Sequence, residues 1–330
     1  MTKQLDTYGA EYGDLLSNSM LQAAIVCPVK YKLMYKDGIR PDKNGLYWNA
    51  AFIGNVLHKV IELHDDNHDA CRQEFWAILQ SYFGLSIITK TRNLLVQYEA
   101  ARQDAINEKA RWGQVCKAPE MTTYYKNKYA GLEKLLAMLN EEAEAKVEGS
   151  VFEEPWIDLI KRGLVCLNNW KEMRIDAPLA NEIILKGVVG PEDAARAMVG
   201  TADRLEQRPN GRIALCDFKT GRWAYDTAKT QNSDQFGLYH RLLEQTDFGA
   251  PVEWVIYNLF TGETVRVVPN ERMLQFFDNR LATNLRYFQQ VEAMFDKVEV
   301  PTPAGASFKT GCPCILAQTG DCTYYYTEEA

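Results

Sequence analysis

The sequence predicts an α/β fold: a mixed central sheet flanked by helices and carrying a large helical insertion. Three observations predict it. Apolar runs of strand length occur at 182–189, 200–219 and 253–268. Segments with apolar residues at helical spacing precede, separate and follow these runs. The stretch 69–174 is helical by pattern almost throughout, which sets it apart from the strands as a block. At 330 residues the chain can bury a substantial core in one large domain or two. The expected organisation is N-terminal helices over 1–68, the helical insertion over 69–175, and a strand-rich core with a cysteine cluster over 176–330.

Composition is ordinary for a globular chain, at 46% hydrophobic and 25% charged. No apolar run approaches membrane-spanning length, and the polar opening MTKQLDTYGAEYGDLL is no signal peptide. A cytoplasmic location with no membrane partner is the expectation. The net charge of −7 weighs mildly against a nucleic-acid binder of the all-basic kind. Distribution matters more: Lys30, Lys32, Lys36, Arg40 and Lys43 cluster early, whereas Glu141, Glu142, Glu144, Glu148, Glu153 and Glu154 cluster mid-chain. A local basic track can still hold phosphates. Eight cysteines in a reducing compartment do not suggest a disulfide framework. Cys71, Cys116, Cys166 and Cys216 lie in apolar or mixed segments, where a small buried hydrophobe is the expected role.

Taken in order, Ser19 followed by Gln22 resembles a capping box opening a helix through Leu21, Ala24 and Ile25. Pro28 cannot continue that helix, so Cys27 belongs at a break, with Pro28 starting a second helical turn toward Tyr35. Trp48–Leu63 reads as an amphipathic helix with Gly54 and His58 one turn apart on one face. His64, His68 and His240 have no comparable setting and read as surface residues. Helical patterns then cover Asp69–Phe83, Leu94–Trp112, Tyr124–Glu148 and Pro155–Arg174, with the clearest break between Gly113 and Thr123. Trp76, Tyr82, Trp112, Tyr124 and Tyr125 can in principle stack bases, although core packing is the commoner use. Glu182–Val189 is a strand. Arg222, Trp223 and Lys229 suit a phosphate-contacting loop or a solvated one equally. Asn232–Gln245 is a helix with Gln235 and Tyr239 a turn apart. Glu253–Phe260 and Thr264–Val268 form a hairpin around Thr261-Gly262. Arg272–Val298 is a long helix whose Leu274, Phe277, Leu281, Leu285, Phe288 and Phe295 make a core stripe.

The chemistry concentrates in GTADRLEQRPNGRIALCDFKTG, Gly200–Gly221. Pro209, Asn210 and Gly211 suit a three-residue hairpin loop, a type I turn followed by a left-handed bulge at Gly211. With Arg208 and Arg212 flanking that loop, Asp203 falls opposite Asp217, on one face of the sheet. A two-residue Asn-Gly loop would pair Asp203 with Phe218 and separate the acids. Lys219 shares the face of Asp217, and Phe218 points into the opposite layer. An exposed salt-bridged face is the commoner origin of a D-x-K pattern. Here, however, the acids sit among Leu205, Ile213, Leu215 and Cys216, where an unpaired charge would be expensive.

Gly54-x-x-x-His58, Gly200-x-x-Asp203, Asp217-Phe218-Lys219 and Gln235-x-x-x-Tyr239 occur in the order seen in RecB-like nucleases of the PD-(D/E)XK superfamily. With a cysteine before and a cysteine cluster after, the chain most resembles the iron–sulfur branch, which includes CRISPR-associated, AddB-like and phage exonucleases. The resemblance implies a restriction-endonuclease-like sheet and a metal-dependent DNA exonuclease acting on single-stranded ends. Asp203 and Asp217, with His58 and the backbone carbonyl of Phe218, would hold Mg2+ or Mn2+. Lys219 would orient the attacking water, and Gln235 and Tyr239 would position Lys219 or the DNA. Glu182 is a further candidate acid, since some members contribute one from this strand. Partners would be DNA and recombination or replication proteins. Two other readings stay open: an endonuclease or CRISPR-adaptation enzyme with the same chemistry, and a catalytically silent DNA-binding subunit.

Cys312, Cys314 and Cys322 form C-x-C-x7-C near the C-terminus. With Cys27 they could hold a [4Fe–4S] cluster or a zinc ion. The C-x-C spacing fits a zinc knuckle poorly and also departs from the C-x2-C-x5-C of the resembling nucleases. An iron–sulfur cluster is the expectation. It would join the N- and C-terminal segments as a staple.

Overall fold

The computed structural model describes residues 15–38, 47–48, 50–65, 67–112, 119–147, 151–152, 155–173, 178–222 and 225–296. Among these, the strands are β1 (Leu16–Ser17), β2 (Tyr47–Trp48), β3 (Val151–Phe152), β4 (Pro178–Val189), β5 (Arg196–Gln207), β6 (Ile213–Lys219), β7 (Glu253–Asn258) and β8 (Glu263–Val267). The helices are α1 (Asn18–Val26), α2 (Pro28–Tyr31, continued by a π-helical turn Lys32–Lys36), α3 (Ala50–His64), α4 (His68–Trp112), α5 (Pro119–Lys146), α6 (Trp156–Glu172), α7 (Thr227–Gln231), α8 (Asp234–Leu243) and α9 (Glu271–Asp296). They group into two compact units. The first is Met1–Lys43, Arg174–Asn258 and Gly262–Ala330, and the second is Asn44–Met173 with Leu259–Thr261.

The first unit is built on a six-stranded mixed sheet ordered β4-β5-β6-β7-β8, with β1 added in parallel to β5. The β4/β5, β5/β6 and β7/β8 pairs are antiparallel and β6/β7 is parallel. A parallel pair needs a crossover, and the segment carrying α7 and α8 supplies it. Met198, Leu205, Leu215, Trp254 and Ile256 of the sheet form one core with Leu238 and Leu242 of α8 and with Leu281, Leu285 and Phe288 of α9. Each such side chain contributes roughly 1.5–3 kcal/mol on burial. The stripe read from 272–298 is therefore core.

The α1 cap is Ser17, two residues before the expected Ser19. The chain passes from β1 straight into the helix, and Ser17 Oγ accepts the Met20 N–H at 3.2 Å. The break at Cys27 is as expected. Cys27 ends α1 in an extended conformation, caps α2, and Pro28 opens the new turn.

The second unit holds α3 to α6 and the short parallel pair β2/β3. The 69–83 and 94–112 patterns belong to one helical run, α4, interrupted only at Gly84, whose φ of 80° and ψ of 160° break the helix where the first pattern ends. Leu95 of α4 and Leu132, Leu136 and Leu139 of α5 are buried. So is Trp76, which is core, whereas Tyr82 is exposed. Asn169 of α6 holds the Leu259 and Phe260 carbonyls, each at 2.9 Å, which ties that turn to this unit.

Cys71, Cys166 and Cys216 are fully buried, as small hydrophobes are, and Cys116 lies outside the described residues. His240 corrects a sequence expectation: it is buried rather than on the surface, because the indole N–H of Trp254 supplies a partner inside the core. His64 and His68 are half-buried. Among the described residues, no helix is long and apolar enough to cross a membrane.

Candidate functional site

The β5–β6 turn takes the three-residue form. The Arg208 N–H donates to the Arg212 carbonyl at 2.7 Å, the Gly211 N–H to the Arg208 carbonyl at 2.8 Å, and Gly211 has φ +77°. Asn210 Oδ1 accepts the Arg212 N–H at 3.1 Å, which fixes the turn from within. The ladder then runs Gln207↔Ile213, Glu206↔Ala214, Leu205↔Leu215 and Arg204↔Cys216. One more step in this register brings Asp203 to Asp217. At that step the backbone ladder stops and a side chain takes over: Asp203 Oδ2 accepts the Phe218 N–H at 2.7 Å.

The β4/β5 register places a third acid in the same row. Asn181↔Arg204 and Ile183↔Ala202 bracket Glu182 and Asp203. Carboxylate oxygens of these two residues lie within 4.8 Å of one another. Glu182 has φ +48°, a left-handed conformation inside a strand and costly for a side chain with a Cβ. Three neighbouring strands thus present Glu182, Asp203 and Asp217 in succession.

The α8 helix closes the site from the core side. Its first turn is capped by Ser233 Oγ and anchored by Arg280, whose Nε lies 2.6 Å from Asp234 Oδ1. Gln235 Nε2 donates to Asp217 Oδ1 at 2.9 Å and lies 3.4 Å from the Tyr239 hydroxyl. Lys219 Nζ is 2.7 Å from Asp217 Oδ2 and 3.5 Å from Gln235 Oε1. Burial pulls the Lys219 pKa down, but the charge and hydrogen bond of Asp217 outweigh it and the net shift is upward. Lys219 is therefore a cation at neutral pH. Burial raises the Tyr239 pKa, and the neighbouring aspartate charges add to the shift, so its hydroxyl keeps its proton. Gly200 is what admits the tyrosine: a Cβ there would sit 2.2 Å from Tyr239 Cε1.

On the opposite face lies a buried ionic network that the sequence reading did not identify. The fully buried Glu206 accepts from Arg204 Nε at 2.9 Å, from Arg208 Nη1 at 3.0 Å and from the Tyr257 hydroxyl at 2.8 Å. Arg208 Nε also reaches Glu253 at 2.9 Å. Arg204 and Cys216 are the last ladder pair before the aspartates, so this network ties β5 to β7 one residue from the acids. Its signal in the sequence was the alternation Arg204, Glu206, Arg208 on one strand face, an acid set between two cations. Phe218 points to this side and packs on Tyr257, with ring centroids 5.8 Å apart.

The structure brings together Asp203, Asp217, Phe218, Lys219, Gln235 and Tyr239. His58 lies half-buried on α3, in the second unit. Cys27 is buried, and its Sγ accepts the Lys30 N–H at 3.4 Å. Cys312, Cys314 and Cys322 lie outside the described residues.

The donor set of clustered carboxylates is the oxygen-rich kind that suits hard divalent cations. Against this geometry, the family model of the PD-(D/E)XK nuclease superfamily matches residues 15–324. The chain belongs to that superfamily. The PD-(D/E)XK assignment makes this mixed sheet the scaffold of a metal-dependent nuclease and DNA its substrate class. No curated protein matches the chain. Among solved structures, one described as "Crystal structure of SSO0001" is similar at 15% identity, covering 61% of this chain and 81% of that one, with a TM-score of 0.28.

Proposed function

We propose that the protein is a DNA exonuclease that hydrolyses phosphodiester bonds at single-stranded ends, with Asp203 and Asp217 as its metal-binding acids. The observation that carries this reading is the three-residue loop at Gly211, which sets the β5–β6 register so that both acids meet Lys219, Gln235 and Tyr239. The exonuclease assignment rests on the order of the GxxxH, GxxD, DFK and QxxxY motifs together with the cysteines before and after them.

Asp203, Asp217 and the Phe218 carbonyl would hold Mg2+ or Mn2+, with His58 as the nitrogen ligand; an imidazole nitrogen favours Mn2+. When bound, the ion supplies Lewis-acid polarisation of the phosphate and a water of lowered pKa. The chain's own groups do the rest. Asp203 keeps one oxygen on the Phe218 N–H, which orients its carboxylate. Lys219, cationic and held by Asp217 and Gln235, faces the charge that develops on the phosphate and orients the attacking water. Gln235 and Tyr239 keep Lys219 in place, and Glu182 supplies an additional carboxylate beside Asp203. Cys27, Cys312, Cys314 and Cys322 are assigned to a [4Fe–4S] cluster, supported for Cys27 by its burial at a helix junction and its amide-to-sulfur hydrogen bond.

The test incubates wild type and Asp217→Ala with end-labelled single-stranded DNA and with covalently closed circles in Mn2+. End-dependent cleavage by wild type alone is expected. Cleavage surviving the substitution would remove the site assignment, and cutting of closed circles would replace the exonuclease reading with an endonuclease one. Anaerobically purified protein should be brown; a colourless preparation with stoichiometric zinc would overturn the cluster assignment.

A further inference from the structure

His240 follows Tyr239 on α8 and is 3% exposed. Its Nδ1 lies 3.2 Å from the indole Nε1 of Trp254, on β7. An indole N–H only donates, so Nδ1 must be bare and the ring proton sits on Nε2, 3.4 Å from Glu244 Oε1. Phe236, one turn earlier, stacks on the same indole with centroids 5.5 Å apart and planes 14° from parallel. One face of α8, Phe236 and His240, is thereby fixed to a single residue of the sheet. The adjoining face, Gln235 and Tyr239, meets Asp217. Trp254 is the register partner of Leu215, two residues before Asp217.

We propose that the Trp254–His240 hydrogen bond is a proton-sensitive mooring, and that His240 is a positioning residue that holds Gln235 and Tyr239 at Asp217 and Lys219 only while its Nδ1 is unprotonated. Protonation would set an N–H against the indole N–H inside the core, donor against donor. The charged groups facing His240 are Arg241 of α8, Glu244 at the C-cap of that helix and Asp278 of α9. Arg241 is itself bonded to both acids, at 3.0 Å to Glu244 and 3.1 Å to Asp278. Burial lowers the His240 pKa below the ordinary 6.5, Arg241 adds to this, and Glu244 and Asp278 oppose it. The sign follows. Above 6.5 the ring is neutral whether folded or not, and the mooring is intact. As pH falls below 6.5 the unfolded chain takes the proton first, so stability declines until the folded-state value is passed.

The catalytic consequence rests on the function proposed above; the mooring itself can be read without activity. In 15N-labelled protein, the Trp254 indole resonance, identified by its loss in Trp254→Phe, should titrate with a midpoint below 6.5, and in 13C-tyrosine-labelled protein the Tyr239 ring resonances should move with the same midpoint. An indole or a Tyr239 ring indifferent to pH would overturn the proposal, even for a protein found inactive on DNA. In the pH–rate profile, His240→Asn retains an acceptor near Nδ1 that cannot be protonated. It should keep neutral-pH activity within about threefold and lose this ionisation from the acid limb. Trp254→Phe keeps the stack but not the donor, and should lower kcat on the order of fivefold, the worth of one hydrogen bond, with KM for DNA little changed. An acid limb identical in His240→Asn and wild type would refute the idea.

Discussion

Gly200→Ala tests how tightly the tyrosine is fitted to the sheet. The added Cβ would meet the Tyr239 ring at 2.2, 2.8 and 3.2 Å, where ordinary contact begins at 3.4 Å. The ring must therefore retreat by about 1 Å, and it has little freedom to do so. Tyr239 packs against the core and its hydroxyl lies beside Gln235 Nε2. Overpacking of this kind costs about 1–3 kcal/mol of stability. If Gln235 and Tyr239 position the reaction as proposed, a displacement of that size lowers kcat on the order of 100-fold. Urea denaturation and Mn2+-dependent cleavage of labelled DNA measure the two effects. In a Tyr239→Ala background the clash has no partner, so Gly200→Ala should there cost only a few tenths of a kcal/mol and leave activity at the level set by Tyr239→Ala. Equal cost in both backgrounds, or full activity of the single variant, would refute the claim that Gly200 exists to admit the ring.

Two further outcomes follow from the hairpin. Gly211→Ala meets nothing within 4 Å, so it isolates the left-handed backbone, and unfolding titrations should show a loss of about 1–2 kcal/mol without a change in the slope of the transition. Glu206→Leu strands Arg204, only 2% exposed, without its carboxylate, and should cost about 3–5 kcal/mol by the same measurement. Replacing Arg204 by Met and Glu206 by Leu together should recover most of that loss, and a double variant no more stable than Glu206→Leu would contradict the network's role.

The hairpin was legible because its information is local. Pro209-Asn210-Gly211 specifies a loop, the loop specifies a register, and the register decides which acids meet. The α9 stripe was legible for a similar reason, since helical spacing alone marks the buried face. What escaped was set by distant partners. Neither the addition of β1 to β5 nor the use of Ser17 in place of Ser19 as a cap can be read without knowing that a two-residue strand precedes the helix. His240 looked like a surface residue because nothing near it in sequence announces Trp254, fourteen residues on. The Glu206 network escaped because Tyr257, its buried donor, lies 51 residues on. The left-handed φ of Glu182 leaves no trace in the strand pattern, since the consecutive Ile183, Ile184 and Leu185 that follow it read simply as strand.

The central claim is that Asp203 and Asp217 share one divalent cation. Calorimetric titration of Mn2+ into wild type, Asp203→Asn and Asp217→Asn tests it most directly, with circular dichroism to verify that each variant is folded. The account predicts a site in wild type that both substitutions abolish or weaken severely while the fold persists. Unchanged Mn2+ binding by a folded Asp217→Asn protein would contradict it.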